Sequence, residues 1–219
     1  MTPHDFIKKW QATKRKERAA AQEHFLDLCR LLDEPTPGDV DPTGLDYGFE
    51  VGATKTTGGH GFADVFKRGC FGWEYKGTKG DLNGAFAQLQ RYAVALDNPP
   101  LLIVSDMGTT IRIHTNWTNS VSKTYEIPIV ELEDAAQRER LKHAFTDPDA
   151  LRPAKSRQEL TEEVAGEFAA LATSLRSKGH EPELVAHFIN RLVFCMFAED
   201  VNLLPDHLDA SGNPMISVW

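Results

Sequence analysis

The stretch Gly61-Phe62-Ala63-Asp64-Val65-Phe66-Lys67-Arg68-Gly69-Cys70-Phe71-Gly72-Trp73-Glu74-Tyr75-Lys76 decides how this chain is read. Residues 63–66 and 71–75 are rich in apolar and aromatic side chains, and Arg68-Gly69 between them is a turn signal, so the pattern predicts a strand pair. Asp64 and Glu74 each stand five residues from Gly69, so a hairpin folded there sets the two carboxylates opposite one another. Side chains alternate along a strand, which places Glu74 and Lys76 on one face and Tyr75 on the other.

Two carboxylates brought together suit a hard divalent cation such as magnesium, which prefers oxygen ligands and keeps several waters. Lys76 beside them can orient an attacking water, or partly deprotonate it, and balance charge developing on a phosphate. A bound magnesium adds Lewis-acid stabilisation of the transition state. Asp64, Glu74 and Lys76 therefore point to phosphodiester hydrolysis. The bland alternative is an ion-pair ladder on an exposed sheet; the apolar neighbours Phe62, Val65, Phe71 and Trp73 argue for a buried sheet instead.

Working outward, residues 3–33 predict one long helix with Phe6, Ile7, Trp10, Ala21, Phe25, Leu28 and Leu32 in a single stripe. Glu17 falls inside that stripe and Glu23 points away from it, which makes Glu17 the carboxylate expected to face the core or a site. Pro-, Gly- and Asp-rich residues 34–47 and the glycine-rich residues 54–61, with His60 among them, read as loops around a short strand at 49–51. A helix over 82–96 is stopped by Asn98-Pro99-Pro100, and strands follow at 101–105, 111–115 and 125–129. Past residue 130 come charged, linker-like stretches and then amphipathic helices over 159–177 and 181–201. The second is so apolar, with Phe188, Leu192, Val193, Phe194, Met196 and Phe197, that it needs covering on several sides. The chain is therefore expected to continue beyond Trp219.

The 219 residues allow one full domain and part of another. No apolar run approaches the roughly 20 residues needed to span a bilayer, and the start lacks a secretory pattern, so the expectation is a cytoplasmic protein without a membrane partner. Cys29, Cys70 and Cys195 form no metal or disulfide pattern and read as buried thiols. A net charge of -8 argues against indiscriminate nucleic-acid binding. Lys67, Arg68, Lys76 and Lys79, however, are expected to crowd around the candidate site and make a local basic patch.

The order helix, hairpin with D-x9-E-x-K, helix, strand resembles the PD-(D/E)xK nuclease superfamily. Gln88-Leu89-Gln90-Arg91-Tyr92 looks like the QxxxY element of some of its branches. A closer resemblance, to the N-terminal endonuclease domain and start of the helical spacer of Type IIL fused restriction-modification enzymes, covers nearly the whole chain. It is carried by Gln22-Glu23-His24-Phe25-Leu26-Asp27-Leu28-Cys29, the Gly61 to Lys76 motif, Asn98-Pro99-Pro100-Leu101-Leu102-Ile103-Val104, His114-Thr115-Asn116 and Phe194-Cys195-Met196-Phe197-Ala198-Glu199-Asp200. The resemblance implies that Gln88 and Tyr92 help position the site or the substrate. It also implies that the Tyr75 carbonyl is a further metal ligand, and that Glu17 can hold a second metal or a water on it. A DNA adenine-methylating domain and a target-recognition domain follow the nuclease in that family. No Gly-rich S-adenosylmethionine loop is visible in this chain, and Leu101 stands where the methylase Asn-Pro-Pro-Tyr motif has its aromatic residue. S-adenosylmethionine is thus expected only through regions this chain lacks.

The resulting expectation is an α/β fold, a mixed sheet flanked by helices over residues 1–150, followed by the start of a helical connector over 151–219. Its function is expected to be magnesium-dependent cleavage of double-stranded DNA in a restriction-modification, phage-defence enzyme, with homo-oligomerisation on DNA left open. The competing reading is a non-catalytic DNA-binding or docking module of a DNA methyltransferase, against which the intact Asp64, Glu74 and Lys76 count.

Overall fold

A computed structural model describes residues 1–13, 17–54, 60–77, 79–200 and 203, with backbone alone at 17–19, 52–54, 60–62 and 200. Strand β3 (Phe71–Lys76) lies between β2 (His60–Lys67), which runs antiparallel to it, and β4 (Leu101–Asp106), which runs parallel. With β1 (Tyr47–Thr54), β5 (Thr110–Thr115) and β6 (Thr124–Pro128) they form one six-stranded sheet in the order β1-β2-β3-β4-β5-β6. Only β3 and β4 are parallel, and a parallel pair needs a crossover; here it is helix α4 (Leu82–Tyr92). The sheet is mixed and helices lie on both faces, so the α/β core expected from the sequence is present. Leu101-Leu102-Ile103-Val104-Ser105-Asp106 is buried throughout, as a strand covered on both faces must be.

One face of β3 carries Phe71, Trp73 and Tyr75 into the larger core, with Phe25 and Phe145 among their neighbours. Phe25 meets Tyr47, Phe49, Phe71 and Trp73 edge to face and stacks on Phe145 at 5.7 Å. Ala63, Phe66, Leu102 and Val104 pack with Leu82, Ala85 and Leu89 of α4 on the other face. Helix α4 lies directly against β3: a Cβ at Gly72 would stand 3.4 Å from the Leu89 side chain.

The single long helix expected over residues 3–33 is two helices, α1 (Pro3–Gln11) and α2 (Glu17–Leu32). In one continuous helix Lys9 and Asp27 would be about 27 Å apart, yet the Lys9 ammonium donates to both Glu23 and Asp27 at 2.6 Å. Folding back packs Phe6 and Trp10 of α1 against the His24 ring of α2. The 3.6-residue stripe is the same in either arrangement, so periodicity alone did not reveal the break.

Helix α4 ends earlier than expected, followed by a 3-10 turn over Val94–Leu96 and by Asp97 and Asn98 in the left-handed region. The strand expected at 49–51 extends into β1 and β2 begins at His60, while residues 55–59 of the loop expected at 54–61 lie outside the described residues. Residues read as a charged linker form helix α5 (Ala135–Thr146), because Leu141, Ala144 and Phe145 make a narrow apolar stripe that joins the core. Cys29 is buried as expected, but Cys195 is exposed.

The chain divides into two compact units, Met1–Arg157 and Gln158–Trp219. Helices α6 (Arg157–Ser177) and α7 (Pro182–Asp200) account for the described part of the second, and α7 exposes Leu184, Phe188, Phe194, Met196 and Phe197. No helix among the described residues is long and apolar enough to cross a membrane. Since Phe25 joins α2, β1, β3 and α5, Phe25→Ala is expected to cost about 3–5 kcal/mol in urea unfolding of the whole chain; a cost near zero would show that this cluster is not the core.

Candidate active site

The hairpin turns at Gly69, whose φ of +71° suits a residue without a Cβ. Its ladder runs Lys67↔Phe71, Phe66↔Gly72, Val65↔Trp73 and stops there. Asp64 and Glu74 are the next residues in that register, as the spacing about Gly69 predicts. Beyond them a side chain replaces the ladder: the Tyr75 backbone N–H donates to Asp64 Oδ2 at 2.6 Å.

The β1–β2 ladder is also interrupted here, passing from Phe49↔Val65 to Val51↔Ala63 and skipping Glu50 and Asp64. Glu50 has φ +51°, a left-handed conformation costly for a residue with a Cβ. Phe49 and Val65 pack in the larger core, while Val51 and Ala63, two residues along the same strands, pack under α4. Regular alternation would keep each such pair on one face. The β1–β2 ribbon rolls over at Glu50 and Asp64, and the roll turns the Asp64 carboxylate toward the backbone of β3. Alternation thus places Glu74 and Lys76 correctly but not Asp64.

Glu74 is 4% exposed. Its Oε1 accepts from Lys76 Nζ at 2.9 Å and from Gln88 Nε2 of α4 at 2.6 Å. A carboxylate this deeply buried and doubly bonded is not a rung of an exposed ion-pair ladder. Asp81 caps α4 by accepting from the N–H groups of Asn83 and Gly84, so the helix that carries Gln88 starts six residues after Lys76. Tyr92, one turn beyond Gln88, is buried in the apolar cluster under α4.

Helix α2 has His24 against Tyr75 and Cys29 against Tyr47, so it runs antiparallel to β3. Its first residue, Glu17, therefore lies toward the Lys76 end of the strand; the side chains of Glu17 and His60 lie outside the described residues.

Among the described residues, Lys67, Arg68, Lys76 and Lys79 do not gather into the expected basic patch. Lys67 pairs with Phe71 at the far end of β3, about 17 Å from Lys76 along the strand. Lys67 donates to the Phe145 carbonyl, and Arg68 binds Asp46 and Asp97. Only Lys79 remains near Lys76, and its backbone N–H is held by Asp106.

Three buried polar residues went unremarked in the sequence. Asp106 ends β4 and gathers the N–H groups of Gly108, Thr109 and Thr110 and the Thr109 hydroxyl. Burial works against its charge, but these bonds outweigh it and hold its carboxyl below the usual range. Asp27 is 2% exposed and takes Lys9 and Arg30. His24 is fully buried, with Nδ1 3.0 Å from the Tyr75 hydroxyl. Its signal was available, since a His inside an apolar stripe needs a partner, but the partner is 51 residues away.

Asp64, Glu74 and the Tyr75 carbonyl are all hard oxygen donors, without His or Cys among them. Among the described residues no group of three or more His, Cys, Asp or Glu side chains is placed to hold a metal. Two carboxylates and a carbonyl are nonetheless a set that fits magnesium, which is bound through one or two carboxylates and retains waters.

Residues 1–178 match the family described as MmeI, N-terminal domain. The chain belongs to that family. The match agrees with the resemblance to the N-terminal endonuclease domain of Type IIL restriction-modification enzymes, and it makes the chain a restriction-modification module of restriction-nuclease type. No curated protein and no solved structure matches the chain.

Burial pushes the His24 imidazole down from 6.5 to about 3 in the folded MmeI-type domain. As pH falls below about 6.5 the unfolded chain takes up a proton that the folded chain refuses, so stability drops from there toward pH 3. His114, lowered to about 4, acts in the same direction, so a variant is needed to isolate His24. Between pH 7 and pH 5, urea unfolding of wild type should lose more stability than that of His24→Asn; equal losses would contradict the buried neutral imidazole.

Proposed function

We propose that the chain is a magnesium-dependent endonuclease domain of a restriction-modification enzyme, hydrolysing phosphodiester bonds of double-stranded DNA in the cytoplasm as a defence against phage. The observation that supports this best is buried Glu74, bonded at once by Lys76 and Gln88, one residue before Tyr75, whose amide pins Asp64.

Asp64, Glu74 and the Tyr75 carbonyl would hold the metal. When bound, magnesium supplies Lewis-acid stabilisation of the charge that grows on the phosphate and a lowered pKa for a nearby water. The Asp64 carboxylate keeps Oδ2 on the Tyr75 N–H, which fixes its orientation before any ligand arrives. Lys76, drawn to Glu74 Oε1, can orient the attacking water and neutralise the developing phosphate charge. Gln88 donates to the same oxygen and limits the rotamers open to Glu74. Glu17, on the first turn of α2, is a candidate for a second metal, and Tyr92 steadies the α4 packing that presents Gln88. An adenine methyltransferase and a target-recognition region elsewhere in the parent enzyme would supply S-adenosylmethionine chemistry and sequence choice.

The test is magnesium titration by calorimetry with a plasmid-nicking assay on wild type, Asp64→Ala and Lys76→Ala. Binding and nicking are expected to vanish in Asp64→Ala. Lys76→Ala should keep the metal and slow nicking by about 10²–10⁴-fold. No metal binding by wild type would overturn the reading in favour of a docking module.

A further inference from the structure

On the face of β3 opposite Glu74 and Lys76, a buried polar chain backs the same strand. Tyr75 and Ser105 are paired across β3 and β4, and the Trp73 indole N–H donates to the Ser105 hydroxyl at 2.9 Å. The Tyr75 hydroxyl meets His24 Nδ1 at 3.0 Å. The Tyr75 ring stacks on Trp73 at 5.6 Å and meets the His24 ring edge on at 5.3 Å. All four side chains are buried.

Tyr75 is the residue through which both sides of β3 are tied. Its side chain reaches α2, its N–H holds Asp64, and its neighbours in sequence are Glu74 and Lys76. With the Tyr75 ring buried and fixed between Trp73 and His24, the backbone from which it projects is held as well. We propose that His24 is a positioning residue for the candidate site, acting from the far side of the sheet through the Tyr75 hydroxyl to set where the Tyr75 N–H holds Asp64. This inference rests on the reading of Asp64 and Glu74 as metal ligands.

Packing alone does not account for an imidazole at this place. His24 Nε2 and the neighbouring Trp10 Nε1 are buried without a hydrogen-bond partner among the described residues, and an unpaired buried polar atom costs stability. A Phe or Leu against Phe6 and Trp10 would avoid that cost. Only the bond to Tyr75 is specific to His24.

The experiment compares wild type, His24→Asn, His24→Phe and Tyr75→Phe by two readouts. The first is the amide proton shift of residue 75, which reports the bond to Asp64 without any metal. The second is manganese affinity by calorimetry. Asn places an oxygen near the position of Nδ1 and should keep both close to wild type. His24→Phe should move the amide signal toward that of an unbonded strand amide and weaken manganese binding about 10-fold or more, the range seen for groups that orient metal ligands. Tyr75→Phe breaks the same bond from the other end and should match it, and the double variant should be no worse than either single one. An unchanged amide shift in His24→Phe and Tyr75→Phe would overturn the role of His24, as would equal losses in His24→Asn and His24→Phe. If wild type binds no manganese, the nuclease reading fails, and the amide shift still decides whether His24 orients Asp64.

Discussion

The arrangement depends on one backbone hydrogen bond given up to a side chain. In a regular hairpin the Tyr75 N–H would bond to a carbonyl of β2; here it donates to the Asp64 carboxylate. That substitution is available because the β1–β2 ribbon rolls over at Glu50 and Asp64, with Glu50 in a conformation that non-glycine residues avoid. Strain of this sort is kept only where the surroundings over-determine it. The surroundings are on both faces: Trp73, Tyr75 and His24 behind β3, Gln88 and the α4 cluster in front.

Much of this was legible in the sequence. The five-residue spacing on either side of Gly69 predicted the register of Asp64 and Glu74, and the apolar run at 101–104 predicted the buried partner strand. Glu74 and Lys76 share a face as alternation requires. The features that escaped are those set by distant contacts. Residues 12–16 carry no strong breaker, so the packing of α2 back against α1 is set by Lys9 meeting Asp27 and Trp10 meeting His24, across 18 and 14 residues. Helix α5 was hidden because three apolar residues among many charges suffice when the helix covers one edge of a core already formed. The in-plane turn of Asp64 cannot be read from any period, since it is a departure from the period.

Charge shows the same limit. Lys67 and Arg68 are close to the motif in sequence but at the wrong end of the strand, where the Phe145 carbonyl and the Asp46 and Asp97 carboxylates engage them. The net charge of -8 lies mostly in residues 158–219 rather than in the unit that carries the site.

The central claim is that Asp64, Glu74 and the Tyr75 carbonyl form one divalent-metal site. The most direct measurement is the anomalous difference density of crystals of the chain grown with manganese, recorded on both sides of the manganese absorption edge. A peak within bonding distance of Asp64, Glu74 and the Tyr75 carbonyl, lost in Asp64→Ala, is the predicted result. A peak elsewhere, or none at this position in wild type, would contradict the account.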